Sequence, residues 1–410
     1  MLCRQHKKLG LYFLLFISVF SCTERKKDHS NATTSAVDSN LFVVDLDHAK
    51  ELKSLDFSFF FKKATCIQLD DDNGNALISY VSKLIVFNEY LYVLDTKIGN
   101  LFVFNMDGSF IRKIGSLGQG PGEYSNIMDF TINTDKNEIM LIDGHKILFF
   151  DLNGNHLKTL QAQNNDSFIY FFQYCNDLLY TSVRQFSDIK DDDCLLQSIN
   201  MIDGSVENSF LNKKKHNKGW NEAFKQKTSY FISTHEYSYL YRNIFMDTIF
   251  SITNNGVHPY LVVNSKDMIS EKDLVAPPNA DRFEFLLANL LSIKKISDLY
   301  NFFETSDFFH FRYEKGGKGG ESKNVIFNKS DRTVQKVSAL QNDLVYKDFH
   351  SYFSLFCFYD KKGVYEIIEN DRFFELFPLI LEDKLQSPFN EQLKRLNTDS
   401  NPIIFYYEFK

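Results

Sequence analysis

The chain has 410 residues, with 46 Lys and Arg against 53 Asp and Glu, for a net charge of −7. Without the three basic residues near its start, Arg4, Lys7 and Lys8, the charge is −10, and this acidity argues against nucleic acid as a partner. Aromatic residues make up 16 %, with 42 Phe, while only 7 Pro occur; that suits many half-buried strands, because flat rings pack well on a pleated surface.

Residues 1–21 read as a leader. Arg4, Lys7 and Lys8 precede an apolar run from Leu9 to Phe20. The run is too short to cross hydrocarbon as a helix, which needs about 20 residues. It ends in Val19-Phe20-Ser21-Cys22. A small residue directly before Cys resembles the bacterial lipobox, in which Cys22 would be lipidated and become the mature N-terminus. Phe20 is bulkier than that pattern usually carries, and an ordinary secretory signal with a chance cysteine is the other reading. Acyl chains contribute about 0.8 kcal/mol per buried CH₂, so a multiply acylated Cys22 is a stable anchor. Residues 22–40 are polar and lack aromatics, as expected of a flexible tether. The layout is a lipoprotein signal peptide (1–21), a tether (22–40) and one domain (41–410).

The domain opens on a repeat. Leu91-Tyr92-Val93-Leu94-Asp95 matches Ile139-Met140-Leu141-Ile142-Asp143, and Phe102-Val103-Phe104-Asn105 matches Leu148-Phe149-Phe150-Asp151. Each unit is strand, tight turn, strand, turn, strand. An all-strand period in the forties is the signature of β-propeller blades. Asp107-Gly108 and Asn153-Gly154 are hairpin turns of the two units, and Asp203-Gly204 keeps the same phase in a third, over about 166–211. A fourth blade is expected over about 228–264. A short helical insertion at 282–294, with Phe283, Leu286, Leu287 and Leu290 at helical spacing, follows. Strands near 300–304, 308–313, 325–327 and 333–337 make the fifth blade, and 353–359, 364–368 and 403–409 the sixth. Residues 64–69 have no blade of their own and are expected to complete the last one, so that no sheet edge stays open. The fold class is all-β, a six-bladed β-propeller.

Motifs for chemistry are sparse. Asp70-Asp71-Asp72-Asn73-Gly74 fails as a calcium loop, because Leu69 and Tyr80 stand where oxygen ligands are needed. Neither the Gly-rich segment at 115–122 nor Gly316-Gly317-Lys318-Gly319-Gly320 has the Lys-Ser/Thr of a phosphate loop. There is no G-x-S-x-G elbow and no zincin helix around His235-Glu236. No metal ligand set is assigned and no cofactor is expected. Cys66, Cys175, Cys194 and Cys357 form no CxxC pair; their spacing selects no disulfide, and small hydrophobes on strands is the simpler reading. Glu123 and Tyr124 are candidate ligand contacts if their segment approaches the central channel. Trp220, within a basic loop of Lys213, Lys214, Lys215, Lys218, Lys225 and Lys227, is a candidate stacking platform for an anionic glycan or partner.

Ile114-Gly115-Ser116-Leu117-Gly118-Gln119-Gly120-Pro121-Gly122-Glu123-Tyr124 resembles the inter-blade G-x-G-x-G-P-G-E-Y segment of the six-bladed propeller lipoproteins of Bacteroidetes, which are related to NHL-repeat proteins. Asp247-Thr248-Ile249-Phe250 is similar to that family's D-T-I-Y strand, and the ending from Asn401-Pro402-Ile403-Ile404 to Lys410 is similar to its N-P-V-L-x-x-Y-K-x-K. The resemblance implies the fold and an envelope address, and little about chemistry.

The expected role is therefore a lipid-anchored binding or interaction module of the bacterial cell envelope, on the outer membrane, non-catalytic. Its partners would be the membrane, through Cys22, and a glycan or envelope protein. The alternative is a metal-dependent lactonase- or lyase-type enzyme with a divalent cation in the central channel, an expectation drawn from fold analogy.

Overall fold

In the computed structural model the described residues are 41–410, except 164–166, 186–190, 219–229, 234–238, 254, 276, 278–283, 286–287, 289–291, 317–319, 347–349, 352–356, 370–377, 379–381, 383–386 and 398. The leader, Cys22, the tether, Trp220 and most of the expected helical insertion lie outside them.

Six antiparallel four-strand units follow one another along the chain. Blade 1 is Lys83–Phe87, Tyr90–Asp95, Asn100–Asn105 and Phe110–Ile114. Blade 2 is Asp129–Asn133, Glu138–Asp143, Lys146–Asp151 and His156–Gln161. The repeat is reproduced in the register: Leu91 pairs with Phe104 as Ile139 pairs with Phe150. Blade 3 is Ser167–Cys175, Leu178–Gln185, Cys194–Ile199 and Val206–Asn212. Blade 4 is Phe231–Ser233, Tyr239–Tyr241, Thr248–Thr253 and Gly256–Asn264. Blade 5 is Ile296–Glu304, Phe308–Lys315, Ser322–Asn328 and Val334–Gln341.

Blade 6 is built from both ends of the domain. Cys357–Tyr359, Gly363–Ile368 and Ile403–Phe409 are its first three strands, and Phe61–Gln68 is the fourth, antiparallel to the third. The expected completion of the last blade by the N-terminal stretch is observed. Two further strands were not foreseen: Phe42–Asp45 adds in parallel to blade 4, and Lys50–Asp56 adds in parallel to blade 5.

Each pair of neighbouring blades encloses its own apolar core. Ile67, Leu84, Phe102 and Ile404 lie between blades 6 and 1; Leu94, Ile114, Phe130 and Phe150 lie between 1 and 2. Similar clusters fill the gaps from 2 to 3, 3 to 4, 4 to 5 and 5 to 6. Six interfaces for six blades make the ring closed. The abundant Phe is spent here. Between blades 5 and 6, Phe60 meets Phe303 edge-on at 5.5 Å, and Phe57 meets Tyr407 at 5.1 Å. Edge-to-face ring pairs of this kind add about 0.5–1.5 kcal/mol beyond area burial.

The turns explain the phase seen in the sequence. Gly108 has φ +93°, and a Cβ there would stand 2.0 Å from the Gln68 carbonyl oxygen at the outer strand of blade 6. Gly204, φ +78°, bears on Gln161 of blade 2 at 2.1 Å in the same way. The backbone adds Asp70 N–H to Gly108 O and Gln163 N–H to Gly204 O, at 2.9 and 2.8 Å. The turn glycine of one blade thus docks on the outermost strand of the blade before it.

Candidate functional site on the propeller axis

The first strand of every blade lies innermost, and together these strands wall a cavity of about 200 Å³ on the axis. Lys83 to Phe87 come from blade 1, Ile132 and Thr134 from blade 2, Gln173 from blade 3, Phe231 to Ser233 from blade 4, Asn301 and Phe302 from blade 5, and Phe358 to Asp360 from blade 6. Tyr239, Arg242 and Tyr365 complete the described lining.

Two ion pairs brace this wall. The Lys83 ammonium donates to Asp129 Oδ1 at 2.9 Å and to the Phe130 carbonyl at 2.8 Å, while Asp129 Oδ2 accepts the Phe172 N–H at 3.0 Å. One carboxylate therefore ties blades 1, 2 and 3. Burial pushes the Asp129 carboxyl up, against the pull of Lys83 and of the backbone N–H groups. Arg242 Nη1 donates to Asp298 Oδ1 at 2.6 Å, and its guanidinium lies 5.7 Å from the centre of the Phe302 ring.

Neutral polar groups fill in between. Gln173 Nε2 donates to Thr131 Oγ1 at 2.6 Å. Asn301 takes φ +53° where the innermost strand of blade 5 shifts register between Tyr300 and Phe303; the same local break occurs in blade 3 between Ile169 and Phe172. Bulges re-aim side chains and cluster beside functional sites. Behind Asn301, His310 is fully buried, stacks on Phe303 at 4.4 Å, and places its ring nitrogens 3.1 Å from the Asn301 carbonyl and from Asn324 Oδ1. Burial lowers its pKa to about 4. Burial also holds the Tyr239, Tyr359 and Tyr365 hydroxyls well above the ordinary tyrosine value, so all three stay protonated. The Tyr359 hydroxyl is shielded from solvent and has no hydrogen-bond partner among the described residues.

Glu123 and Tyr124, singled out in the sequence, lie elsewhere. Glu123 and Tyr124 form a short strand, Glu123–Tyr124, parallel to Ser116–Leu117 in the connection from blade 1 to blade 2, and neither lines the axial cavity. Glu123 Oε2 accepts the Gly120 N–H at 2.7 Å, folding back on its own loop. Tyr124 is buried in the core between blades 1 and 2, and burial lifts its pKa to about 12. The glycines of this segment allow close approach: a Cβ on Gly115, φ +66°, would stand 2.7 Å from the Tyr124 ring.

Trp220, Lys225 and Lys227 are outside the described residues. Of the basic loop, Lys213 is fully buried, Lys214 pairs with Asp191, and Lys218 donates to the Phe245 carbonyl at 2.5 Å. Asp70 to Asn75 form a turn whose carboxylates accept their own backbone N–H groups, from Asp72 at 3.0 Å and Asn73 at 3.1 Å. Cys66, Cys175 and Cys194 lie on strands, and burial pushes Cys66 up to about 12; the Cys357 side chain is outside the described residues. Among the described residues no three His, Cys, Asp or Glu side chains stand together as a metal-holding group.

Sequence reasoning found none of the cavity residues. They come from six strands scattered between residues 83 and 365, with no linear motif; the only usable signal was that each blade's first strand must face the axis.

The chain matches no curated protein. Among solved structures, a protein of Bacteroides fragilis NCTC 9343 named as exported superposes with a TM-score of 0.71 at 17 % identity, covering 90 % of this chain and 100 % of its own. A member of the DUF4221 family from Bacteroides vulgatus ATCC 8482 gives 0.52 at 12 % identity, covering 85 % and 96 %. At these identities the likeness is one of fold. The family described as a domain of unknown function, DUF4934, matches residues 41–408, and the chain belongs to that family.

Proposed function

We propose that the protein is an exported, lipid-anchored propeller that works as a non-catalytic binding module, with its ligand on the axis. The observation that carries this reading is the cavity walled by all six blades: a concave, mainly apolar space with a few fixed polar groups is the usual form of a small-molecule site. The exported neighbour from Bacteroides fragilis and the lipobox-like Ser21-Cys22 support an address beyond the cytoplasm. The outer membrane, the periplasmic or surface face and the NHL kinship belong to the same proposal.

Two experiments test it. Metabolic labelling with a fatty-acid analogue should mark the protein and fail on Cys22→Ser; labelling of the variant would remove the anchor. A melting-temperature screen against small molecules, repeated with a cavity-filling Ser233→Leu variant, should find compounds that stabilise only the parent. The enzyme alternative is examined by the metal content of the same preparation and its melting temperature before and after chelation. A stoichiometric divalent ion whose removal lowers the melting temperature would displace the non-catalytic reading.

A further inference from the structure

Building on that reading, we propose that the axial cavity takes an uncharged, largely apolar ring compound and holds it without an ion pair. Among the described residues three charged side chains line the cavity, and the protein itself uses all three. Lys83 is bound to Asp129 and the Phe130 carbonyl. Arg242 is bound to Asp298 and has Phe302 against its guanidinium. Asp360 accepts from the Lys362 and Gly363 N–H groups at 2.7 and 2.9 Å and from the Tyr365 hydroxyl at 3.1 Å. A charged ligand would have to displace one of these partners and lose its own water without gaining a free counter-charge, and burying an unpaired ion is costly.

Seven of the nineteen described lining residues are aromatic, among them Phe231, Phe302, Phe358 and Tyr359. Ring faces of this kind favour flat or ring-shaped apolar bodies. The volume of about 200 Å³ has room for on the order of ten water molecules, which suits one or two rings.

The test uses purified full-length protein and three matched ring probes: acetophenone, benzoate and benzylammonium. Methyl glucoside is a fourth, uncharged but polar, probe. Calorimetry should show acetophenone bound about tenfold or more tighter than either charged ring, with less than about a twofold change between about 50 and 500 mM salt. Ser233→Leu should abolish binding.

Benzoate or benzylammonium binding more tightly than acetophenone, with a steep salt dependence and loss in Ser233→Leu, would overturn the uncharged class and leave the binding module standing. Methyl glucoside binding best would overturn the apolar class in the same way. Probes that bind equally to Ser233→Leu would overturn the axial site itself.

Discussion

Lys83 Nζ stands 2.9 Å from Asp129 Oδ1, and this pair of nearly buried side chains joins the innermost strands of blades 1 and 2. Removing the carboxylate leaves a buried ammonium with only the Phe130 carbonyl and strips the Phe172 N–H of its acceptor. Asp129→Ala should cost roughly 3–5 kcal/mol. Lys83→Met should cost less, about 1–3 kcal/mol, because the Asp129 carboxyl, already pushed up by burial, can take a proton and still accept from Phe172. Urea unfolding of the two variants checks the order; equal costs would contradict it.

Gly108 and Gly144 test what the inter-blade turn requires. Both have positive φ, +93° and +62°. A Cβ on Gly144 would meet nothing within 4 Å, whereas on Gly108 it would collide with the Gln68 carbonyl at 2.0 Å. Gly144→Ala should cost about 1 kcal/mol, from backbone conformation alone. Gly108→Ala should cost at least about 2 kcal/mol more, since the blade 6 to blade 1 contact must open. A similar loss in both would mean that the docking contact contributes little.

His310 makes stability depend on pH. Its folded pKa of about 4 lies below its ordinary 6.5. Between these values the unfolded chain binds a proton that the folded chain refuses. Stability therefore falls as pH drops through this window, by up to about 1.4 kcal/mol per pH unit, and the contribution is constant above it. The slope between about pH 6.5 and 4 should flatten in His310→Gln, whatever that variant's absolute stability. An unchanged slope would assign the dependence to other groups.

Asp95 and Asp143, equivalent in the repeat, each pin the segment that leads into their own blade. Asp95 Oδ2 accepts the Ser79 and Tyr80 N–H groups at 2.6 and 2.9 Å, and Asp143 accepts the Ser125 and Asn126 N–H groups at 2.8 and 3.2 Å. Asp95→Ala and Asp143→Ala should each cost about 2–3 kcal/mol. Being in different blades with no shared partner, their effects should add in the double variant.

The sequence made the blades legible because each is a local object. Alternating apolar residues and a turn every few positions write one blade into about forty residues, and the phase of Gly108 and Gly204 registers the neighbour each turn docks on. Phe42–Asp45 and Lys50–Asp56 were missed for the opposite reason. They are edge strands added in parallel from afar, and Lys50–Asp56, with the burial of Leu52 and Leu55 only partial, shows no alternation to read. Glu123 drew attention as the one carboxylate in a glycine-rich segment, and its oxygen proves to cap Gly120. The axial lining had no linear trace, since it becomes a set only when six distant strands converge.

The pairing of Phe61–Gln68 with Ile403–Phe409 also sets a timetable. Phe61–Gln68 leaves the ribosome before any blade is made, yet finds its partner only when Ile403–Phe409 has followed. Until then, blade 6 lacks the third strand on which its fourth must pair, and the core shared with blade 1 has Ile67 without Ile404. A chain halted between residues 342 and 403 carries blades 1 to 5 and still presents a raw sheet edge, an open target for proteases and for strand-to-strand aggregation. The ring is thus latched by two strands more than three hundred residues apart, and the latch closes only when both are present.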